Sequence, residues 1–223
     1  MSQKHNFSWR LATSDEDLKA AYNLRHEVFV KEQGYDADRE LDSFDDTAAQ
    51  LLLIDDADNS IQGTLRVVSL PLDDKAPLFY DPSRKDNSPP GSGRTEEQII
   101  KDLVNAQQLV EQSADGPSAL LSGVKLGRIA LHTTHRGHGG GRHLLDGAEK
   151  WIIKALDQTP VTKGTKEVDA EIVISAQVTA RKFYDRYVTL LIISLGFHTD
   201  NDEYLEEGQP HLRFSKRIVV RRD

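Results

Sequence analysis

The chain alternates between short apolar runs and longer polar stretches, and the period of the apolar positions assigns an element to most of them. Phe7–Leu11 has the length and alternation of a first strand. Ser14 then precedes Asp15, Glu16 and Asp17, an N-cap followed by acids where they meet the positive end of a helix. Leu18, Ala21, Tyr22, Arg25, Val28 and Phe29 recur at helical spacing, which predicts a helix from about Glu16 to Lys31, closed by Gly34. Gln50–Ile54 and Thr64–Leu70 flank the turn-rich Asp55–Gly63 and predict a β-hairpin. Pro71–Gly93, rich in Pro, Asp, Ser and Gly, reads as an exposed loop. Thr95 caps a second helical pattern through Ile99, Ile100, Leu103, Val104, Leu109 and Val110, broken at Asp115-Gly116-Pro117. Pro71–Ser122 as a whole reads as an insertion between two strands of one domain spanning residues 1–223.

The most informative pattern follows. Leu126, Ile129 and Leu131 form a short strand; a loop holds Arg136, Gly137, His138, Gly139, Gly140, Gly141 and Arg142; then Leu144, Leu145, Ala148, Trp151, Ile152, Ala155 and Leu156 mark one face of a helix. Strand, glycine loop and helix together present bare backbone N–H groups and a positive helix end to an anion such as phosphate. Glycine suits that loop because a Cβ would hinder positive φ and close approach. Downstream, Ala170–Ser175 is a strand and Ala176–Tyr187 a short helix. Val188–Leu195 is an apolar run that fits helix or strand, Gly196-Phe197 opens a strand, and His211–Val220 closes the chain as another. The order of elements predicts a mixed α/β sheet.

Composition narrows the classes. The 223 residues are 38% hydrophobic and 29% charged, with no cysteine, which excludes disulfides, a cysteine nucleophile and thiolate metal sites. A net charge of −8 argues against nucleic acid as the partner, since phosphate neutralisation needs a basic face. The charge is uneven: Asp36–Asp58 is acidic, whereas Lys125–Arg142 is locally basic and suits a small polyphosphate ligand. The N-terminus has no signal-like apolar core and Val188–Leu195 is too short to span a bilayer, so a cytoplasmic protein is expected, with the nucleus as the other possibility and no membrane partner.

The loop fits neither common nucleotide template. A Walker A motif would continue with Gly-Lys-Ser/Thr, but Gly141 is followed by Arg142-His143; a dinucleotide fingerprint would need glycine at Arg142 or Leu144. What stands is Arg136-x-x-Gly139-x-Gly141. This resembles the pyrophosphate loop of the GCN5-related N-acetyltransferase (GNAT) superfamily. Leu24–Leu53, Gly63–Val68, Gly127–Leu131, Ser175–Tyr184, Leu195–Phe197 and Glu206–His211 resemble, in order, its ElaA-like branch. The resemblance implies a mixed, mostly antiparallel sheet with a splayed central strand pair and flanking helices. It implies acetyl-CoA as cosubstrate, an amine substrate, no metal, and a monomer or homodimer. Relatives read Phe-Tyr-x-x-x-Gly-Phe where Val188–Leu195 here intervenes between Tyr187 and Gly196, a second, short insertion.

The resemblance also suggests roles. The pyrophosphate would lie on the N–H groups of Arg136, Gly137, His138, Gly139, Gly140, Gly141 and Arg142. The pantetheine arm would lie along the edge formed by Ile129, Ala130 and Leu131, with Gln177 beside it. Tyr184 is the candidate general acid, because a phenol with a pKa near ~10 stays protonated at neutral pH and can donate to a leaving thiolate; the other reading is a core aromatic beside Phe183. His132 is a candidate base through water, since an imidazole titrates near neutrality. Arg25, Phe29, Glu32 and Gln33 would face the acceptor, Arg25 binding a carboxylate and Glu32 an amine; Arg25 and Glu32 could instead pair with each other. His132, His135, His138 and His143 surround the loop without a carboxylate or thiolate among them and read as solvated or phosphate-facing, not as a metal site. Asp42, Asp45 and Asp46 read as turn and cap residues. Two further functions remain open: a non-catalytic acyl-CoA-binding or interaction module, and acetylation of a protein lysine or N-terminus.

Overall fold

A computed structural model describes residues 6–72, 88–112, 119–160, 167–177, 192–206 and 209–221. Eight strands form one sheet: β1 (Phe7–Leu11), β2 (Ala49–Asp55), β3 (Ile61–Ser69), β4 (Leu109–Gln112), β5 (Ala119–Leu131), β6 (Glu167–Gln177), β7 (His198–Glu206) and β8 (Gln209–Arg221). Their order is β1-β2-β3-β5-β6-β8-β7, with β4 added to the start of β5. Every pairing is antiparallel except β5 with β6.

The run Leu51-Leu52-Leu53-Ile54 shows why the sheet lies between helical layers. Leu51 and Leu53 enter the main core, whereas Leu52 and Ile54 enter a second cluster on the opposite face, and all four are buried. A strand apolar on both sides needs cover on both sides. Helix α1 (Asp15–Arg25) supplies one cover with Leu18, Ala21 and Tyr22. Helices α2 (Glu96–Asn105) and α3 (Gly140–Leu156) supply the other, with Ile99, Ile100, Leu103, Val104, Leu144, Trp151, Ile152 and Leu156. The predicted caps form: Ser14 Oγ accepts from the Asp17 N–H, and Thr95 with Gln98 makes a reciprocal capping box.

Four expectations are revised. The predicted first helix is α-helical only to Arg25 and continues as a π-helix over His26–Glu32. Leu109 and Val110 do not extend α2; they belong to β4, which pairs Leu109 with Leu121 and Gln112 with Ala119. The central strand begins at Ala119 instead of Leu126, and Ala176 and Gln177 still belong to β6. Part of the expected 71–122 insertion is therefore structural, since α2 closes the core and β4 and β5 extend the sheet. From the apolar run 188–195, Ile192 and Leu195 are buried in the main core beside Phe197. Among the described residues no helix is long and apolar enough to cross a membrane.

Candidate active site

Over its second half β5 lies between β3 and β6 and parts from one of them. Its pairing with β6 ends at Leu126↔Ile174, while its pairing with β3 runs on to Gly63↔Leu131. Beyond Ile174, β6 stays with β8 as far as Gln177↔His211. The β6-facing side of β5 over residues 127–131 thus has no strand partner among the described residues, and the backbone polar groups on that side are in no ladder there.

A bulge lies at the same place. Arg66 of β3 faces Gly127 and Thr64 faces Ala130, so Arg128 and Ile129 together oppose Leu65. Arg128 takes φ 50°, a left-handed conformation that non-glycine residues rarely adopt. The extra residue changes the phase of the strand. Leu126, Ile129 and Leu131 all turn to the α3 core, while Ala130 packs with Leu24, Val28 and Phe29 on the α1 side. Without the bulge, Leu126 and Ile129 would point to opposite faces.

At its C-terminal end the open edge leads into the glycine loop. Gly137 and Gly139 have φ 80° and 89°, and a Cβ on either would meet nothing within 4 Å. Their requirement is therefore conformational, and the space beside them is open. Gly140 differs: a Cβ there would lie 2.7 Å from Leu53 Cδ2, so glycine lets the first turn of α3 sit against the sheet. Gly139 is the N-cap of α3 and no side chain caps the turn. The N–H groups at the start of this 17-residue helix are available to an anion along with its positive end.

The side chains around the loop have defined partners. Arg136 donates from Nε to the Leu131 carbonyl at 3.0 Å and from Nη2 to Glu32 at 2.7 Å, joining the loop to the end of the π-helix. Arg142 Nη2 donates to Ser194 Oγ at 3.0 Å. His132 is exposed; its Nδ1 lies 2.8 Å from Thr134 Oγ1, which is 2.8 Å from His135 Nδ1, and His135 Nε2 lies 3.2 Å from Asp55. Thr134 has one hydroxyl proton for two imidazoles, so one ring must donate. If neutral His135 donates Nε2–H to Asp55, Thr134 donates to His135, His132 donates to Thr134, and the His132 lone pair rests on Nε2. Among the described residues no group of three or more His, Asp or Glu side chains is placed to hold a metal.

Of the residues expected to face an acceptor, Phe29 is half-buried against Leu24, Val28 and Ala130, and Gln33 is half-buried at the end of the π-helix. π-helical turns are often found at functional sites. Glu32 pairs with Arg136 and not with Arg25. Arg25 is fully buried, and its guanidinium is occupied within the protein. Nε donates to Glu40 at 2.6 Å, Nη1 to Asp45 at 2.7 Å, and Nη2 to the Glu40 carbonyl and to Asp45. The reading of Arg25 as a carboxylate ligand for substrate does not fit this geometry: four of its five N–H donors are bound within the protein and the side chain is fully buried, so a substrate would have to displace Glu40 or Asp45 to reach it. Gln177 takes its place in β6 opposite His211. Tyr184 lies outside the described residues.

Sequence reasoning missed the network that Arg25 belongs to. Arg66 donates to both Asp42 oxygens at 2.6 and 2.8 Å and lies 3.0 Å from Asp45. Arg128 donates to the carbonyls of Glu40 and Arg39, both at 3.1 Å, and to Asp42 at 3.4 Å. Asp42 and Asp45 also cap their own turn, the role expected of them. Three arginines thus face three buried or nearly buried carboxylates, Glu40, Asp42 and Asp45. Burial alone would raise the Asp45 pKa, but Arg25 and Arg66 outweigh it and hold the carboxyl well below the usual range. Burial also pulls Arg25 down, and Asp45 and Glu40 more than restore it. For Arg128, burial followed by repulsion from Arg66 and Arg25 leaves a net lowering.

A family model described as an acetyltransferase (GNAT) domain matches residues 24–145, more than half of the chain and all of the geometry above from Leu24 to the first turn of α3. The chain therefore belongs to the GNAT family of N-acetyltransferases. Similar solved structures include a putative N-acetyltransferase from Lactobacillus plantarum, 23% identical with TM-score 0.49, covering 95% of this chain and 97% of that one. An acyl-CoA N-acyltransferase from Pseudomonas aeruginosa is 20% identical with TM-score 0.50, over 95% of this chain and 99% of that one, and shares its fold. Escherichia coli ElaA is 17% identical with TM-score 0.48, over 95% and 99%. Comparison with curated protein sequences finds no match.

Proposed function

We propose that this chain transfers the acetyl group of acetyl-CoA to the amine of a small-molecule acceptor by direct attack in a ternary complex. One observation carries the reading: a strand edge, 127–131, with no strand partner on its β6 side among the described residues runs into an uncapped helix N-terminus through two left-handed glycines with open space beside them. An elongated ligand ending in a pyrophosphate fits such a track, because the edge offers amide donors and acceptors along the arm and the helix end offers N–H groups to the anion. The residues present fit the group. Arg136, Gly137, His138, Gly139, Gly140, Gly141 and Arg142 would hold the pyrophosphate, and Ile129, Ala130 and Leu131, with Gln177 across the gap, would hold the pantetheine.

When bound, acetyl-CoA supplies the thioester carbon and the thiolate leaving group. The chain's part is to place an amide donor of the bulge near the carbonyl oxygen, where one preorganised donor is worth about 3–4 kcal/mol. It must also take a proton from the amine and give one to the thiolate. His132 Nε2 is the candidate acceptor of the amine proton through water, and Tyr184 the candidate donor. Phe29, Glu32 and Gln33 border the acceptor. Glu32 suits a cationic amine, which would compete with Arg136 for its carboxylate.

The test is CoA release measured over a panel of free amines, amino acids, polyamines and peptides. Release with a free amine is expected. CoA binding without release from any acceptor would instead identify a binding module, and release with peptides alone would identify a protein acetyltransferase. With an acceptor in hand, Tyr184→Phe should lower kcat at least tenfold and leave the acetyl-CoA Kd nearly unchanged; an unchanged kcat removes its role as acid.

A further inference from the structure

The left-handed residue of the β5 bulge is an arginine, although a glycine stands next to it. Gly127 has no positive φ, and a Cβ on it would meet nothing within 4 Å, whereas Arg128 takes φ 50°. Such a conformation is unfavourable for a non-glycine residue and persists only where the surroundings enforce it. The surroundings here are specific. The Arg128 side chain crosses to the segment between α1 and β2 and donates to the carbonyls of Arg39 and Glu40 and to Asp42. That segment is fixed in turn by Arg25 from the end of α1, through Glu40 and Asp45, and by Arg66 from β3, through Asp42. Arg66 is also the residue opposite Gly127 across the ladder, so the network grips the bulge from both strands.

We propose that Arg128 is a positioning residue: its side chain clamps the bulge to the Glu40–Asp45 turn and so fixes the backbone of 127–131, whose N–H groups on the side away from β3 line the edge where the thioester lies. The proposal rests on the acetyltransferase reading for its catalytic consequence but not for its geometry. Arg25 then contributes to the site through the clamp, from the end of the helix that borders the acceptor, without touching the acceptor.

Arg128→Gly separates the clamp from the conformation, because glycine accepts φ 50° freely. The variant is expected to fold and to bind CoA within about twofold of wild type, with kcat at least tenfold lower. Amide hydrogen exchange should become faster at 127–131 and remain unchanged in α3 and β8. Arg128→Lys keeps the charge but loses the forked donors, and should fall between the two. Unchanged exchange at 127–131 in the glycine variant would overturn the clamp whatever the activity shows. Locally faster exchange with kcat unchanged would overturn its catalytic role. Wild-type protein that releases no CoA with any acceptor would instead defeat the acetyltransferase reading, and exchange would still decide the clamp.

Discussion

Two charged regions of this molecule lie on either side of the same strand end and are built in opposite ways. The network of Arg25, Arg66, Arg128, Glu40, Asp42 and Asp45 is closed: its charges balance three against three, and Arg25, Glu40 and Asp45 are almost wholly removed from water. The loop Arg136–Arg142 is open: its helix end has no side-chain cap, and space lies beside Gly137 and Gly139. Charges that balance inside a protein hold it in shape and have nothing left to offer a ligand. A positive end left unbalanced at the surface is where an anion gains most. The difference is what the two proposals rest on, the loop as the binding element and the network as its support.

The largest expected effect tests the closed side. Asp45→Asn leaves Arg25 and Arg66 short of a carboxylate in a buried site, which should cost about 3–5 kcal/mol in denaturant unfolding. Asp45 also sets a pH dependence. Because its folded pKa lies below the unfolded value, its stabilisation is complete above about pH 4 and is lost as the pH falls further, through the folded value. The wild-type stability curve should therefore be level near neutrality and fall in acid, and the asparagine variant should show a shallower acid limb. Equal stability in the variant would mean that the network is not closed in the sense argued here. The smallest effect belongs to the pair that ties the loop to the π-helix. Glu32 and Arg136 pair while partly exposed, so Glu32→Gln should change stability by no more than about 1 kcal/mol. It should raise CoA affinity slightly, by freeing Arg136 for phosphate; a clear loss of affinity would mean that Glu32 orients Arg136 for the ligand.

Local signals made much of this legible in the sequence. The caps at Ser14 and Thr95, the hairpin around Asp55–Gly63 and the strand–loop–helix at Leu126–Leu156 all depend on neighbours a few residues apart. What was misread depends on distant partners. Leu109 and Val110 continue the helical spacing of α2 but lie in β4, where Leu109 faces Leu121 and Val110 falls at a register shift, and they are exposed at 45% and 58%, so their apolarity is not that of a core stripe. β5 begins seven residues before the apolar pattern at Leu126, and Gly123 takes positive φ at a register shift within it. Arg25 stands in the buried stripe of α1, and its carboxylate partners follow 15 and 20 residues later, where spacing carries no information. A buried arginine in an apolar stripe announces a partner without naming it. The bulge at Arg128 was invisible for the same reason: its φ is set by contacts 86 to 89 residues away.

The central claim is that the open edge and the glycine loop bind coenzyme A, and a calorimetric titration of CoA into wild-type and Gly139→Asp protein tests it most directly. The aspartate would carry a negative charge to the helix end and force a β-carbon onto a residue at φ 89°. The account predicts a saturable isotherm for the wild type and at least a hundredfold weaker binding by a variant whose fold is intact by circular dichroism. Equal affinity in the two proteins would contradict it.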